Sequence, residues 1–286
     1  MTEVYSRLIK GITGNSTASV KIFPSPDKRL HGCSLNVTFG TQNTTTDTLA
    51  EQLAGLTFRV KTGNTTRREV TGTQLRDYLL LNGTTHDCDA VSTYVSTYYI
   101  PFAEDWFIAN VADMLAWNPR IVGPISIEIV STLGTITVVA HERISDDLDA
   151  PSAGIITWEV ITPVSGGVKT ITTKELEIRG QLIQASIYPD TGGSNAATQA
   201  SLMVGADNKF AYEEVPVAAN ADILGRAGLT PAASGRTASI YDMVFVRGDA
   251  LTHAIDLSRH GSAKFDIRAA ASTGSWPILL ARLEAR

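Results

Sequence analysis

Residues 56–79, "LTFRVKTGNTTRREVTGTQLRDYL", and residues 200–224, "ASLMVGADNKFAYEEVPVAANADIL", follow one plan. Each opens with a β-prone run, turns at Gly or Asp before Asn, returns in a second run and ends in a short helical pattern. Val60 falls over Val204, Asn64 over Asn208 and Glu69 over Glu213, at a constant offset of 144 residues. One phrase matched twice is weak evidence, because β sequences share composition. Three more phrases keep the order. "TYYIPFAEDWFIANVADMLAWNP" from Thr97 lies over "SIYDMVFVRGDALTHAIDLSRHG" from Ser239, with Phe102 over Phe245 and Asp113 over Asp256. "SIEIVS" from Ser126 lies over "KFDIRA" from Lys264, and "ITVVAHER" from Ile136 over "WPILLARL" from Trp276. Four phrases in one order, at offsets of 138–144, point to an internal duplication.

The rest of the chain has the same character. Short runs rich in Val, Ile, Thr and Tyr alternate with Gly, Pro, Asn and Asp. In "ISIEIVS", Ile125, Ile127 and Ile129 face one way while Ser126 and Glu128 face the other, the mark of a half-buried antiparallel strand. Helical patterns are few: residues 73–83, closed by Gly83; residues 219–228, closed by Gly225 or Gly228; and the opening "TEVYSRLIKGI", with Val4, Leu8 and Ile9 on one stripe. The expected fold is all-β: two tandem eight-stranded jelly-roll β-sandwiches with a few short helices. The acidic segment "RISDDLDAPSAG" (143–154) connects them. The expected division is an N-terminal arm over 1–14, a first jelly roll over 15–148 and a second over 149–286.

Composition narrows the function. A chain of 286 residues with 43% hydrophobic and 19% charged residues has enough apolar surface to fold without staples. Its net charge of −5 argues against nucleic acid, whose phosphates demand clustered Lys and Arg. Neither half hides a basic block: residues 1–150 hold twelve basic and sixteen acidic side chains, residues 151–286 twelve and thirteen. Cys33 and Cys88 leave two options, a pair of buried thiols or one disulfide. No stretch approaches 18 apolar residues, and the opening residues lack a signal-peptide core, so the expectation is a chain made and kept in a cytoplasm unless lysis releases it.

Catalytic patterns are missing. The sequence has no GxSxG, P-loop, HExxH or CxxC pair. "HDCDA" (His86, Asp87, Cys88, Asp89) reads as a polar loop, since neighbours in an extended segment point to opposite sides. "SDDLD" (Asp146, Asp147, Asp149) lacks the Gly and terminal Glu of an EF-hand loop. The RGD at Arg247–Asp249 coincides with a strand end, and the five sequons at Asn15, Asn36, Asn43, Asn64 and Asn82 follow from a Thr-rich composition. Trp158 and Trp276 sit inside apolar runs and read as core, whereas Trp106 and Trp117 flank a loop suited to an interface. Glu104 and Asp105 form an acidic pair with no evident catalytic partner. Neither a cofactor nor a metal is expected, and the chain does not read as an enzyme.

A duplicated sandwich without catalytic signatures suits a building block, because three copies in a closed ring present six similar units. At this level the chain resembles the double jelly-roll major capsid proteins of tailless icosahedral viruses with an internal membrane, of the corticovirus type. The likeness runs through "TGNSTASVKIFPSPDKRLHGCSLNVTFG" (13–40), the hairpin and helix from Leu56, "IPFAEDWFIANVADML" from Ile100, and then "SLMVGADNKF" and "ILGRAG" in the second half. It covers nearly the whole chain without a diagnostic motif. The resemblance implies a bacteriophage-type structural protein that forms homotrimeric, pseudo-hexagonal capsomers of a virion shell. It implies neighbouring capsomers, minor capsid or vertex proteins and an internal lipid membrane as partners, with no direct nucleic-acid contact, and host cytoplasm as the site of assembly. It places the N-terminal arm against lipid, with Tyr5, Arg7 and Lys10 as headgroup contacts. The rival readings are a carbohydrate- or receptor-binding sandwich of the spike or fibre type, and a glycoside-processing enzyme using Glu104 and Asp105.

Overall fold

A computed structural model describes residues 3–10, 18–40, 49–84, 88–92, 94–104, 107, 109–163, 171–189, 196–246, 253–269 and 275–284. The chain divides into two compact units, Met1–Ile156 and Thr157–Ala285, so the division falls inside a strand.

The first unit holds β1 (Tyr5–Leu8), β2 (Ser19–Ile22), β3 (Arg29–Phe39), α1 (Leu49–Ala54), β4 (Leu56–Thr62), β5 (Thr65–Thr71) and α2 (Gly72–Asn82). It continues with β6 (Asp89–Ser92), β7 (Val95–Pro101), α3 (Ala109–Leu115), α4 (Pro119–Val122), β8 (Ile125–Ser131) and β9 (Ile136–Ser145). One sheet runs β1-β9-β3-β7-β6, and β5-β4-β8-β2 are consecutive neighbours in another. The pairings are antiparallel and long-range: Val37 faces Val138 across β3 and β9, and Phe58 faces Ile129 across β4 and β8. Strict alternation drives them. In β4, Leu56, Phe58 and Val60 are buried while Thr57 and Arg59 are not, so one face supplies core. The two layers meet where Phe58 of β4 and Tyr98 of β7 bring their rings to 5.1 Å. Each fully buried side chain of this size contributes about 1.5–3 kcal/mol relative to exposure.

The second unit holds β10 (Ile155–Ile161, which starts in the first), β11 (Ile171–Glu175), β12 (Gln181–Ile187), β13 (Ala197–Val204), β14 (Lys209–Pro216) and α5 (Val217–Arg226). It ends with β15 (Tyr241–Val244), β16 (Ile255–Asp256), β17 (Ala263–Ala269) and β18 (Ile278–Glu284). Here β15-β12-β18-β10 are neighbours and β11-β17-β13-β14 form the facing sheet, with β16 pairing β12. The core gathers Leu202, Tyr241, Phe265, Trp276 and Leu280.

Leaving aside β6 and β16, each unit uses eight strands in one topology. In both, the first strand neighbours the eighth, then the third, then the sixth, while the second neighbours the seventh, fourth and fifth. That is the jelly-roll order. The four repeated phrases land on equivalent elements: β4-β5-α2 over β13-β14-α5, β7 over β15, β8 over β17 and β9 over β18. Both hairpins turn at the matched Asn: Gly63 before Asn64 has φ 58°, and Asn208 itself takes φ 50°.

One expectation fails at the start. The stripe of Val4, Leu8 and Ile9 predicts a short helix, yet residues 5–8 form β1, with Tyr5 opposite Ile144 and Leu8 opposite His141. A four-residue segment cannot repay helix nucleation in water, whereas laying it on β9 satisfies its backbone at once.

Candidate functional site

The residues assigned to the lipid-facing arm lie on and just beyond β1. Glu142 occupies an inward position of β9, and an acid there needs a partner because an unpaired buried charge is costly. Arg7 supplies it from the facing strand, donating from Nε to Glu142 Oε1 at 2.9 Å. Ser25 completes the arrangement: its backbone N–H donates to Glu142 Oε2 at 2.8 Å and its hydroxyl to Oε1. Glu142 is buried, while the Arg7 side chain keeps 48% of its exposure. Tyr5 donates its hydroxyl to Asp146 Oδ1 at 3.0 Å, and Lys28 pairs with the same carboxylate. The Lys28 ammonium first, and the Tyr5 hydroxyl second, hold Asp146 below the usual carboxylate range. Lys10 is exposed just past the strand. Arg7, Lys10, Phe23 and Glu142 line a cleft of about 540 Å³, with Phe23 at its rim, 47% exposed and under the Lys21 ammonium. Cationic, apolar and accessible, this face can meet an anionic or amphipathic surface.

Of the two tryptophans read as flanking an interface loop, Trp117 takes a different place. Trp117 is wholly buried. Its backbone bonds Leu30 in both directions, at 2.8 and 2.9 Å, and its ring meets Phe102 edge-on at 5.0 Å. The short helices α3 and α4 fold the loop inward and carry Trp117 with it. Trp106 lies outside the described residues. Glu104 is fully buried too, 3.1 Å from Arg68, which also donates to the Ile156 carbonyl at 2.7 Å and to Pro101. Burial lowers the Arg68 pKa, and Glu104 opposes that shift. A carboxylate consumed in this way is structural. Asp105, His86, Asp87 and the RGD at 247–249 fall outside the described residues.

The second unit carries its own polar core. Arg236 donates to Asp242 Oδ1 at 2.7 Å, Ser186 donates to the same oxygen at 2.7 Å, and Asn220 of α5 donates to the Asp242 carbonyl at 2.7 Å. Burial pushes Asp242 upward and the Arg236 guanidinium opposes it. Position 68 and its repeat, Tyr212, do related work. Arg68 stands over the Phe102 ring at 5.4 Å, and Tyr212 meets Phe245 edge-on at 5.8 Å.

Trp158 and Trp276 are core, as their apolar settings predict, and Cys33 and Cys88 are buried thiols outside any disulfide. Among the described residues no group of three or more His, Cys, Asp or Glu side chains could hold a metal, and no helix is long and apolar enough to cross a membrane. Sequence reasoning missed Glu142, Ser25 and Arg68. The signal was present for two of them: a charge on the buried phase of a strand.

Both units and their order can be set against solved structures. The major capsid protein P2 of bacteriophage PM2 is similar at TM-score 0.74 and 13% identity, over 99% of this chain and 98% of that one. The chain has the double jelly-roll fold. The same double jelly roll is found in the STIV MCP, at TM-score 0.64 and 14% identity over 98% and 96% of the two chains. It recurs in the PBCV-1 virus capsid, at 0.59 and 9% over 99% and 94%. No family model and no curated protein matches the sequence. The double jelly roll is thus preserved here where sequence identity has almost vanished.

Proposed function

We propose that this double jelly roll is the major capsid protein of an icosahedral virus, a structural protein and not an enzyme. The observation that carries the reading is end-to-end likeness: PM2 P2 aligns over 99% of this chain and 98% of its own. The burial of Glu104 and of Trp117, Trp158 and Trp276 supports it, since these side chains are withdrawn from catalysis or sugar stacking.

The unit of assembly is a homotrimer whose six jelly rolls approximate a hexagon, meeting further capsomers and minor vertex proteins in the virion after assembly in the host cytoplasm. The first residues face an internal lipid membrane. Tyr5 and Arg7 are engaged with Asp146 and Glu142, so Lys10 carries most of the attraction to anionic headgroups. Acidic coat and genome are then separated by lipid, which suits the net charge of −5.

Light scattering on the purified chain, with negative-stain images, tests this reading. A trimer with a hexagonal outline is the expected result; a monomer at every concentration overturns it. Flotation with anionic vesicles tests the lipid contact, which Lys10→Glu should weaken and salt should abolish.

A further inference from the structure

The two jelly rolls differ most where the repeat is clearest. In the first, β5 and α2 are covered. Arg68 and Val70 of β5 are buried, and so are eight residues of α2, among them Leu75, Tyr78, Leu79 and Leu81. Helix α1 packs so closely on α2 that a Cβ on Gly72 would lie 2.7 Å from the Leu53 carbonyl oxygen. The outer edge of β5 is taken by the chain leaving the unit, where Arg68 reaches the Ile156 carbonyl.

In the second jelly roll the equivalent elements are bare. No residue of β14 is buried, and α5 buries only Asn220 and Leu224. Phe210, Val217 and Ile223 are 58%, 37% and 50% exposed. This surface is held firmly from beneath, because Asn220 donates to the Asp242 carbonyl and accepts from the Tyr212 hydroxyl. Among the described strands β14 pairs only with β13 and is the last in its sheet, so its outer edge is a template for another strand.

We infer that the β14–α5 face of one copy binds the β1 edge of a second copy of this chain. The duplication names the occupant. Ile155 and Ile156, which lie at the β5 edge, begin β10, the opening strand of the second jelly roll. The repeat of β5 is β14, and the repeat of β10 is β1. Strand β1 fits the role: it is the end strand of its sheet, all four residues are exposed, and Leu8 is 47% exposed. The exposed charges are complementary, with Glu213 on β14 and Lys10 just beyond β1. Joining unlike surfaces makes the contact head-to-tail, the kind that closes into a ring when the rotation between copies divides a full turn. The inference rests on the capsomer reading and adds its contact surface.

The test uses the full chain and reads native mass. Phe210→Asp should convert the oligomer to a folded monomer with an unchanged far-ultraviolet circular dichroism spectrum, because that side chain is already exposed; Ile178→Asp, equally polar on another exposed site, should leave the oligomer intact. Independently, chains carrying Leu8→Cys are co-expressed with differently tagged chains carrying Phe210→Cys and treated with a short bismaleimide. Covalent dimers between the two tags, absent from either variant alone, are expected. If the wild type assembles but Phe210→Asp assembles equally and no cross-link forms, this interface is wrong and the capsomer reading stands. A monomeric wild type overturns both.

Discussion

The Arg68 guanidinium lies 3.1 Å from the Glu104 carboxylate, and neither side chain is exposed. Removing one member of such a pair strands a buried charge, a loss of about 3–5 kcal/mol. Glu104→Ala should destabilise the chain by that amount in urea unfolding. Glu104→Gln should cost less, because its amide oxygen still accepts the Arg68 bond. Equal costs for the two would show that the lost charge, not packing, dominates.

Helix α2 begins with a capping box. Thr71 accepts from the Gln74 backbone and Gln74 returns a side-chain oxygen to the Thr71 N–H. Thr71→Ala should cost about 1 kcal/mol, with Thr71→Ser restoring most of it. At the other end Gly83 adopts φ 62°. Gly83→Ala should cost about 1–2 kcal/mol, through the Cβ clash of a left-handed residue. Thermal melts of the three variants measure both effects.

His31 is buried, with Ser145 Oγ 2.9 Å from its Nε2. Burial first, then Arg29 and Arg143, lowers its pKa to about 4, against the pull of Asp113. Above the ordinary value of about 6.5 the ring is neutral in both states and stability does not depend on it. Between 6.5 and 4 the unfolded chain takes up a proton that the folded chain refuses. Stability therefore falls with acidification, by about 1.4 kcal/mol per pH unit and about 3 kcal/mol in all. The slope should flatten in His31→Gln when unfolding free energy is followed from pH 7 to 4. An unchanged slope would place the acid sensitivity elsewhere.

Cys33 and Cys88 form no disulfide and are inaccessible, and burial raises the Cys33 pKa, with the Glu142 carboxylate adding to the rise. The native chain should resist a thiol reagent, and denaturant should release two reactive thiols per chain. Fast labelling of the native state would mean that the β3 core opens readily.

The strands were legible because their signal is local. "ISIEIVS" states its own buried face, and Ile125, Ile127 and Ile129 occupy it in β8. The duplication was legible for a related reason, since hairpin, helix and strand must recur in order if a fold is copied. The opening segment misled, because Val4, Leu8 and Ile9 satisfy a helical stripe while the segment's fate depends on β9, which begins at Ile136. Trp117 misled similarly: a tryptophan beside polar loop residues reads as exposed until α3 and α4 fold it onto Phe102.

By itself the sequence determined the all-β class, the tandem repeat and the inward side of most strands, since a period of two needs only neighbouring residues to be read. Tertiary structure alone decided which strands become neighbours and which edges stay open. It also decided that Arg7 meets Glu142 across 135 positions of chain. Periodicity specifies the face of a strand and leaves its partner unspecified. Partners follow from the lowest free energy of the whole sandwich, in which every buried charge must find its counterion.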